Sequence, residues 1–176
     1  MTTPSWTDRT TSVDTVNNVV CGTVSSLSPF AVFITVPFAS LTARVEIERA
    51  HVPTFRGGDG FEIEGRGRLG QASDGIAPDI EAVTLNLGSF ALTIPAGSFV
   101  KKTDDDGDED GTTYRFKGVI GGISLNAAIE QGPGRAFRFH VNGRHASLGA
   151  IVNPLTVGLA IGNDFGSVVV KAHIER

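Results

Sequence analysis

Apolar and polar positions alternate with a period of two along almost the whole chain, and no segment carries the i, i+3, i+4, i+7 spacing of an amphipathic helix. The pattern predicts strands. Three dipeptides punctuate it: Gly88-Ser89, Gly121-Gly122 and Asn142-Gly143. These residues tolerate the φ > 0 that two-residue hairpin turns demand. Such a turn fixes a register. Around the first, Leu87 faces Phe90, Leu85 faces Leu92 and Val83 faces Ile94. Around the second, Ile120 faces Ile123, Phe116 faces Ala127 and Tyr114 faces Ile129. Around the third, Phe139 faces Ala146 and Phe137 faces Leu148. Every pair sets apolar against apolar, and a slip of one residue would destroy all of them.

The same reading predicts strands over Val19–Val24, Phe30–Val36, Val45–Val52 and Phe61–Leu69. It then predicts a meander: Val83–Leu87, Phe90–Phe99, Thr113–Ile120, Ile123–Glu130, Ala136–Val141, Arg144–Leu148, Leu155–Ile161 and Val168–Ile174. Pro95 lacks a ladder donor and is expected at an edge or bulge. Gly132-Pro133-Gly134-Arg135 reads as a type II-like turn, and Gly162–Ser167 closes the last hairpin with Ile161 roughly facing Val168. The fold class is all-β, an antiparallel hairpin meander forming a β-sandwich, with an up-and-down β-barrel as the alternative. Residues 1–40 read as N-terminal strands, the tail of a preceding β module or an added strand, and residues 41–176 as the main domain. The outward set (Thr84, Asn86, Thr93, Arg115, Lys117, Asn126, Arg138, Lys171) is hydrophilic, which excludes a lipid-facing barrel.

With 176 residues the chain can bury a real core, and its 40% hydrophobic content is that of a globular protein. The formal net charge of -4 leaves no basic excess for a phosphate backbone, so nucleic acid is not an expected partner. No stretch reaches the ~18 apolar residues of a spanning helix, and the start shows no basic-then-apolar leader. It reads as a cut into a longer chain. The single cysteine, Cys21, allows no intrachain disulfide and reads as a half-buried strand residue.

Four features carry candidate chemistry. Asp106-Gly107-Asp108-Glu109-Asp110-Gly111 matches the front half of a calcium loop, D-x-D-x-D-G, but position 12 is Lys117 where a bidentate Glu belongs. Asp104, Asp106, Asp108 and Asp110 are the candidate calcium ligands; the plainer reading is a solvated hairpin tip that discourages edge pairing. His140 and His145 stand opposite each other if Asn142-Gly143 is a turn, as a zinc or copper pair would, with no third ligand in view. His51 and His173 read as surface residues. Gly65-Arg66-Gly67-Arg68-Leu69-Gly70 spells G-x-G-x-x-G, but no helix follows, so it is not a dinucleotide site. No nucleophile elbow, H-E-x-x-H or phosphate loop is present, and no carboxylate pair lies at a marked cleft. The chain reads as not an enzyme.

Ile94-Pro95-Ala96-Gly97-Ser98-Phe99, Tyr114-Arg115-Phe116-Lys117-Gly118, Asn153-Pro154-Leu155-Thr156-Val157 and Ile161-Gly162-Asn163-Asp164-Phe165-Gly166 together resemble a β-rich module near the C-termini of bacterial secreted and cell-surface multidomain proteins. Ser73-Asp74-Gly75-Ile76, and Trp6-Thr7-Asp8 with Leu27-Ser28-Pro29-Phe30-Ala31, extend the likeness over most of the chain. The resemblance implies an all-β fold and a secreted or cell-surface location, and brings no catalytic residue. The loop before the Tyr-x-Phe strand, often basic in such proteins, is acidic here. The expected function is a non-catalytic structural or adhesive module with protein partners or self-association. The alternatives are a module binding carbohydrate or an apolar ligand in a lumen of Phe90, Phe116, Phe137 and Phe139, and a fibre subunit joined by strand addition through Phe30–Val36.

Overall fold

The structure, a computed structural model, describes residues 9–14, 19–24, 35–50, 57–102 and 112–175. Two compact units part between residues 34 and 35. In the first, β1 (Thr10–Asp14) and β2 (Val19–Gly22) pair antiparallel, with Val13 opposite Val20 and Ser12 opposite Cys21. The Thr11 hydroxyl donates to the Cys21 carbonyl at 3.1 Å. Cys21 is exposed, not half-buried.

The second unit is a β-sandwich. Its strands are β3 (Val36–Pro37), β4 (Ser40–Glu48), β5 (Asp59–Arg68), β6 (Val83–Leu87), β7 (Phe90–Ile94), β8 (Val100–Lys102), β9 (Thr113–Ile120), β10 (Ile123–Gln131), β11 (Ala136–Ala146), β12 (Leu155–Ile161), β13 (Asp164–Val170) and β14 (His173–Glu175). They form a seven-stranded sheet in the order β14-β4-β5-β11-β10-β9-β8 and a five-stranded sheet in the order β3-β13-β12-β6-β7. Both sheets are open, so the barrel alternative does not apply. Pairing is antiparallel except where the short strands β3 and β14 run parallel to β13 and β4.

Two of the three sequence-derived hairpins form in the expected register. Leu85 pairs with Leu92 and Val83 with Ile94; Phe116 pairs with Ala127 and Tyr114 with Ile129. Gly88, Gly121 and Gly122 all take positive φ. The inward side chains of both sheets meet in one apolar core that includes Ile63, Leu87, Ile129, Phe137, Val157 and Ile161. Phe61 of β5 and Phe90 of β7 lie 5.7 Å apart between ring centroids, and the void bounded by Leu85, Leu92, Ile129 and Phe139 measures about 10 Å³. That space holds no more than a water molecule. Phe137 and Phe139 are both buried in this core, with Phe90 and Phe116 packed against it.

The third hairpin does not form. β11 runs unbroken through Asn142-Gly143, which pair with Glu62 and Phe61 of β5 and with Asn126 and Leu125 of β10. The glycine serves packing instead of turning: a Cβ at Gly143 would collide with the edge of the Phe61 ring. The same exchange occurs twice more. Gly65 and Gly67 of β5 stand opposite Phe139 and Phe137 of β11, whose rings occupy the space a Cβ would need. This accounts for two glycines of the G-x-G-x-x-G string. The third, Gly70, is held tight against the Pro37 carbonyl.

Three further strand boundaries differ from expectation. The Phe90–Phe99 run stops at Ile94, because Pro95 cannot donate and Gly97 turns the chain at φ 79° into β8 of the other sheet. The Val168–Ile174 run divides into β13 and β14, which belong to opposite sheets. The last hairpin turns on Gly162-Asn163 alone, so Ile161 faces Asp164, and Val168 faces Val157. The Gly132–Arg135 turn is a 3₁₀ turn (Pro133–Arg135) with Gly134 and Arg135 both left-handed. Among the described residues no helix is long and apolar enough to cross a membrane.

Candidate functional site

The outer face of the seven-stranded sheet is built from the positions of β4, β5, β11 and β10 that point away from the core. Strand pairing lays them out in rows. One row reads Thr42, Arg66, Arg138, Glu130; the next reads Arg44, Glu64, His140, Ala128; the third reads Glu46, Glu62, Asn142, Asn126. The first two rows floor an open groove of about 570 Å³. Its charged lining is Arg44, Arg66, Arg138, Glu64, Glu130 and His140. Arg66 and Arg138 stand directly opposite, an arrangement that repels. Neither makes an ion pair among the described residues.

Within the second and third rows the charges order themselves. Arg44 Nη2 lies 2.7 Å from Glu46 Oε1, and His140 Nε2 lies 2.8 Å from Glu62 Oε1. The side chains of His140 and Glu62 are each 42% exposed, so the pair is solvent-screened and adds little to stability. Glu64 has no hydrogen bond or ion pair among the described residues. The nearest donor atoms of Glu62, Glu64 and His140 all lie within 4.8 Å of one another. An imidazole and two carboxylates on adjacent central strands can hold a cation or orient a polar ligand.

A second polar centre lies at the start of β13. Asp164 is 0% exposed. Its Oδ2 accepts from the Ser73 hydroxyl at 3.0 Å, while Oδ1 has no hydrogen-bond partner. Burial pushes the Asp164 carboxyl above the usual carboxylate range; Asp74 pushes the same way, and the Ser73 bond and Arg135 oppose it. The loop that carries Ser73 is tied down from β10 and the 3₁₀ turn. Arg135 Nη1 donates to the carbonyls of Gly70, Gln71 and Ser73 at 2.6, 3.1 and 3.2 Å, and Gln131 Nε2 donates to the Ile76 carbonyl at 2.6 Å. Tyr114, buried in β9, also titrates high, through burial and then Asp79 and Glu81.

Of the sequence candidates, Asp104, Asp106, Asp108 and Asp110 lie outside the described residues, as do His51 and Trp6. His140 and His145 are not opposed, since no turn separates them. His140 faces Glu64 and Ala128, and His145 sits at φ 67° in a bulge of β11 against β5. His173 Nε2 is 3.5 Å from Glu175 Oε1, both exposed. Sequence reasoning missed Glu62 and Glu64 as partners of His140. Their alternation with Phe61 and Ile63 marked them as outward, but nothing local joins β5 to a strand 78 residues away. It also missed Asp164, which was read only as part of the Gly162–Ser167 segment closing the last hairpin. No family model, no curated protein and no solved structure matches the chain.

Proposed function

We propose that this chain is a non-catalytic structural or adhesive β module of a larger secreted or surface protein, meeting its partner through the outer face of the seven-stranded sheet. The observation that carries the reading is the division of labour between the two sides of that sheet. The inner side is packed solid against the five-stranded sheet around a void of only about 10 Å³. The outer side presents an open polar groove on the adjacent strands β4, β5, β11 and β10, of which β5, β11 and β10 are paired on both sides. Rigid strands hold such side chains in place at small entropic cost on binding. The likeness to bacterial secreted modules supports the location.

A second reading, recognition of a carbohydrate or other polar ligand in the groove, is favoured by the juxtaposed Arg66 and Arg138, whose repulsion an acidic group would relieve. A panel of hydrolase substrates and a glycan array, run with the wild type and a combined R66E and R138E variant, separates the readings. The structural reading expects no turnover and no saturable glycan binding. Saturable binding that the double variant abolishes moves the assignment to recognition. Turnover lost on one substitution makes the protein an enzyme.

A further inference from the structure

We infer that Glu62, Glu64 and His140 form a binding site for a divalent first-row transition metal of the zinc class. The inference is independent of whether the groove also takes a ligand.

Three observations carry it. The first is geometric. Glu62 and Glu64 are two residues apart on β5 and both point outward, and His140 stands on β11 directly opposite Glu64. Their donor atoms already lie within 4.8 Å of one another, with His140 Nε2 and Glu62 Oε1 at 2.8 Å. Ligand bonds of about 2.1 Å place the donors of a tetrahedral ion about 3.4 Å apart. Donors at most 4.8 Å apart, on three side chains with free rotatable bonds, are close to that spacing.

The second is electrostatic. Glu46 stands opposite Glu62 and Arg44 opposite Glu64 in the strand register. Arg44 is engaged by Glu46 at 2.7 Å. Two carboxylates, Glu62 and Glu64, are thus left beside the His140 imidazole, and Glu64 has no partner among the described residues. Arg66 and Arg138 of the adjacent row face the same groove, so the pull on a cation comes from the two carboxylates acting together against those arginines. The third is the donor set. One nitrogen and two oxygens suit zinc and its neighbours, whereas calcium and magnesium favour all-oxygen shells. Because three protein ligands leave coordination positions free toward the groove, the site is open and not closed.

Binding requires His140 Nε2 to give up its contact with Glu62 and offer its lone pair: a ring protonated on Nε2 alone exchanges that proton for one on Nδ1 through solvent, and a doubly protonated ring releases the Nε2 proton to solvent and keeps the one on Nδ1. Affinity falls as the pH drops, because the imidazole must be unprotonated.

The test is zinc titration by calorimetry, with metal analysis after dialysis, on the full chain purified without a polyhistidine tag. One zinc per chain is expected. Losing a group that merely orients a ligand costs about tenfold or more in affinity. H140A and E64Q, both at solvent-accessible positions, should therefore each weaken binding by at least about tenfold, while H145A and a combined D106N and D108N variant leave it unchanged. Nitrogen chemical shifts of the His140 imidazole in the wild type should report zinc on Nε2, a readout that needs no variant. Absence of stoichiometric binding, indifference to H140A and E64Q, or zinc lost with the Asp106 and Asp108 substitutions would each overturn the assignment.

Discussion

The Ser73 hydroxyl holds one oxygen of the fully buried Asp164 carboxylate at 3.0 Å, across 91 residues of sequence, and the other oxygen is left with no partner. An acid in that position is easier to bury neutral than charged.

Because the folded-state pKa of Asp164 is raised, its contribution to stability is greatest below the unfolded value of about 3.9 and is lost as pH rises through the folded value. D164N removes this titration. Relative to the wild type, the variant should gain stability progressively as the pH rises from about 4, the model value, through the raised folded-state value. Urea midpoints across that range check it. A difference that stays flat, or that runs the other way, would show that Asp164 is not driven neutral by burial.

Tyr114 is the only tyrosine in the chain, so absorbance of the phenolate reports it alone. Burial, with Asp79 and Glu81 behind it, holds the folded-state pKa above the ordinary value of about 10. The native protein should therefore titrate later than the same chain in denaturant. With the folded pKa raised, stability falls as pH climbs from the unfolded value through the folded one. Coincident native and denatured curves would count against the buried placement.

Gly67 is not at positive φ, so alanine is allowed there by the backbone, and the nearest obstacle to it is the Phe137 ring. G67A should cost about 1–3 kcal/mol, the usual penalty of overpacking. The cost should shrink when F137L clears the space. Denaturation of the four proteins of this double-mutant cycle measures the coupling, which packing residues in direct contact share and distant ones do not.

Arg135 sits at φ 68° and caps three carbonyls of the loop that carries Ser73. R135A keeps the backbone problem and removes the guanidinium. It should cost about 1.5–3 kcal/mol, as loss of charge-assisted hydrogen bonding does. Amide exchange should quicken over Gly70–Ile76 and stay unchanged in β9 and β10. Uniform acceleration would mean that Arg135 supports the whole sandwich.

What the sequence could reveal was decided by distance along the chain. The β6–β7 and β9–β10 registers were legible because a two-residue turn is a local device: glycines at 88, 121 and 122 announce both the turn and the pairing. Asn142-Gly143 sends the same local signal for a non-local reason, since the absent side chain there is required by Phe61 of a strand far away in sequence. The triad on the outer face was illegible for a related cause. Outward alternation put Glu62, Glu64 and His140 on polar faces, but only the pairing of β5 with β11 makes the two faces one. The burial of Asp164 depends on a loop some 90 residues upstream folding over it, which no periodicity encodes.

The interlocking of β5 and β11 has a consequence for how such a sequence can drift. At 65 and 139, at 67 and 137, and at 143 and 61, one partner is a ring and the other is nothing at all. A mutation at either member alone creates a collision or a hollow, so these six sites should be inherited as three couples. Descendants of this chain would change them together or leave them untouched.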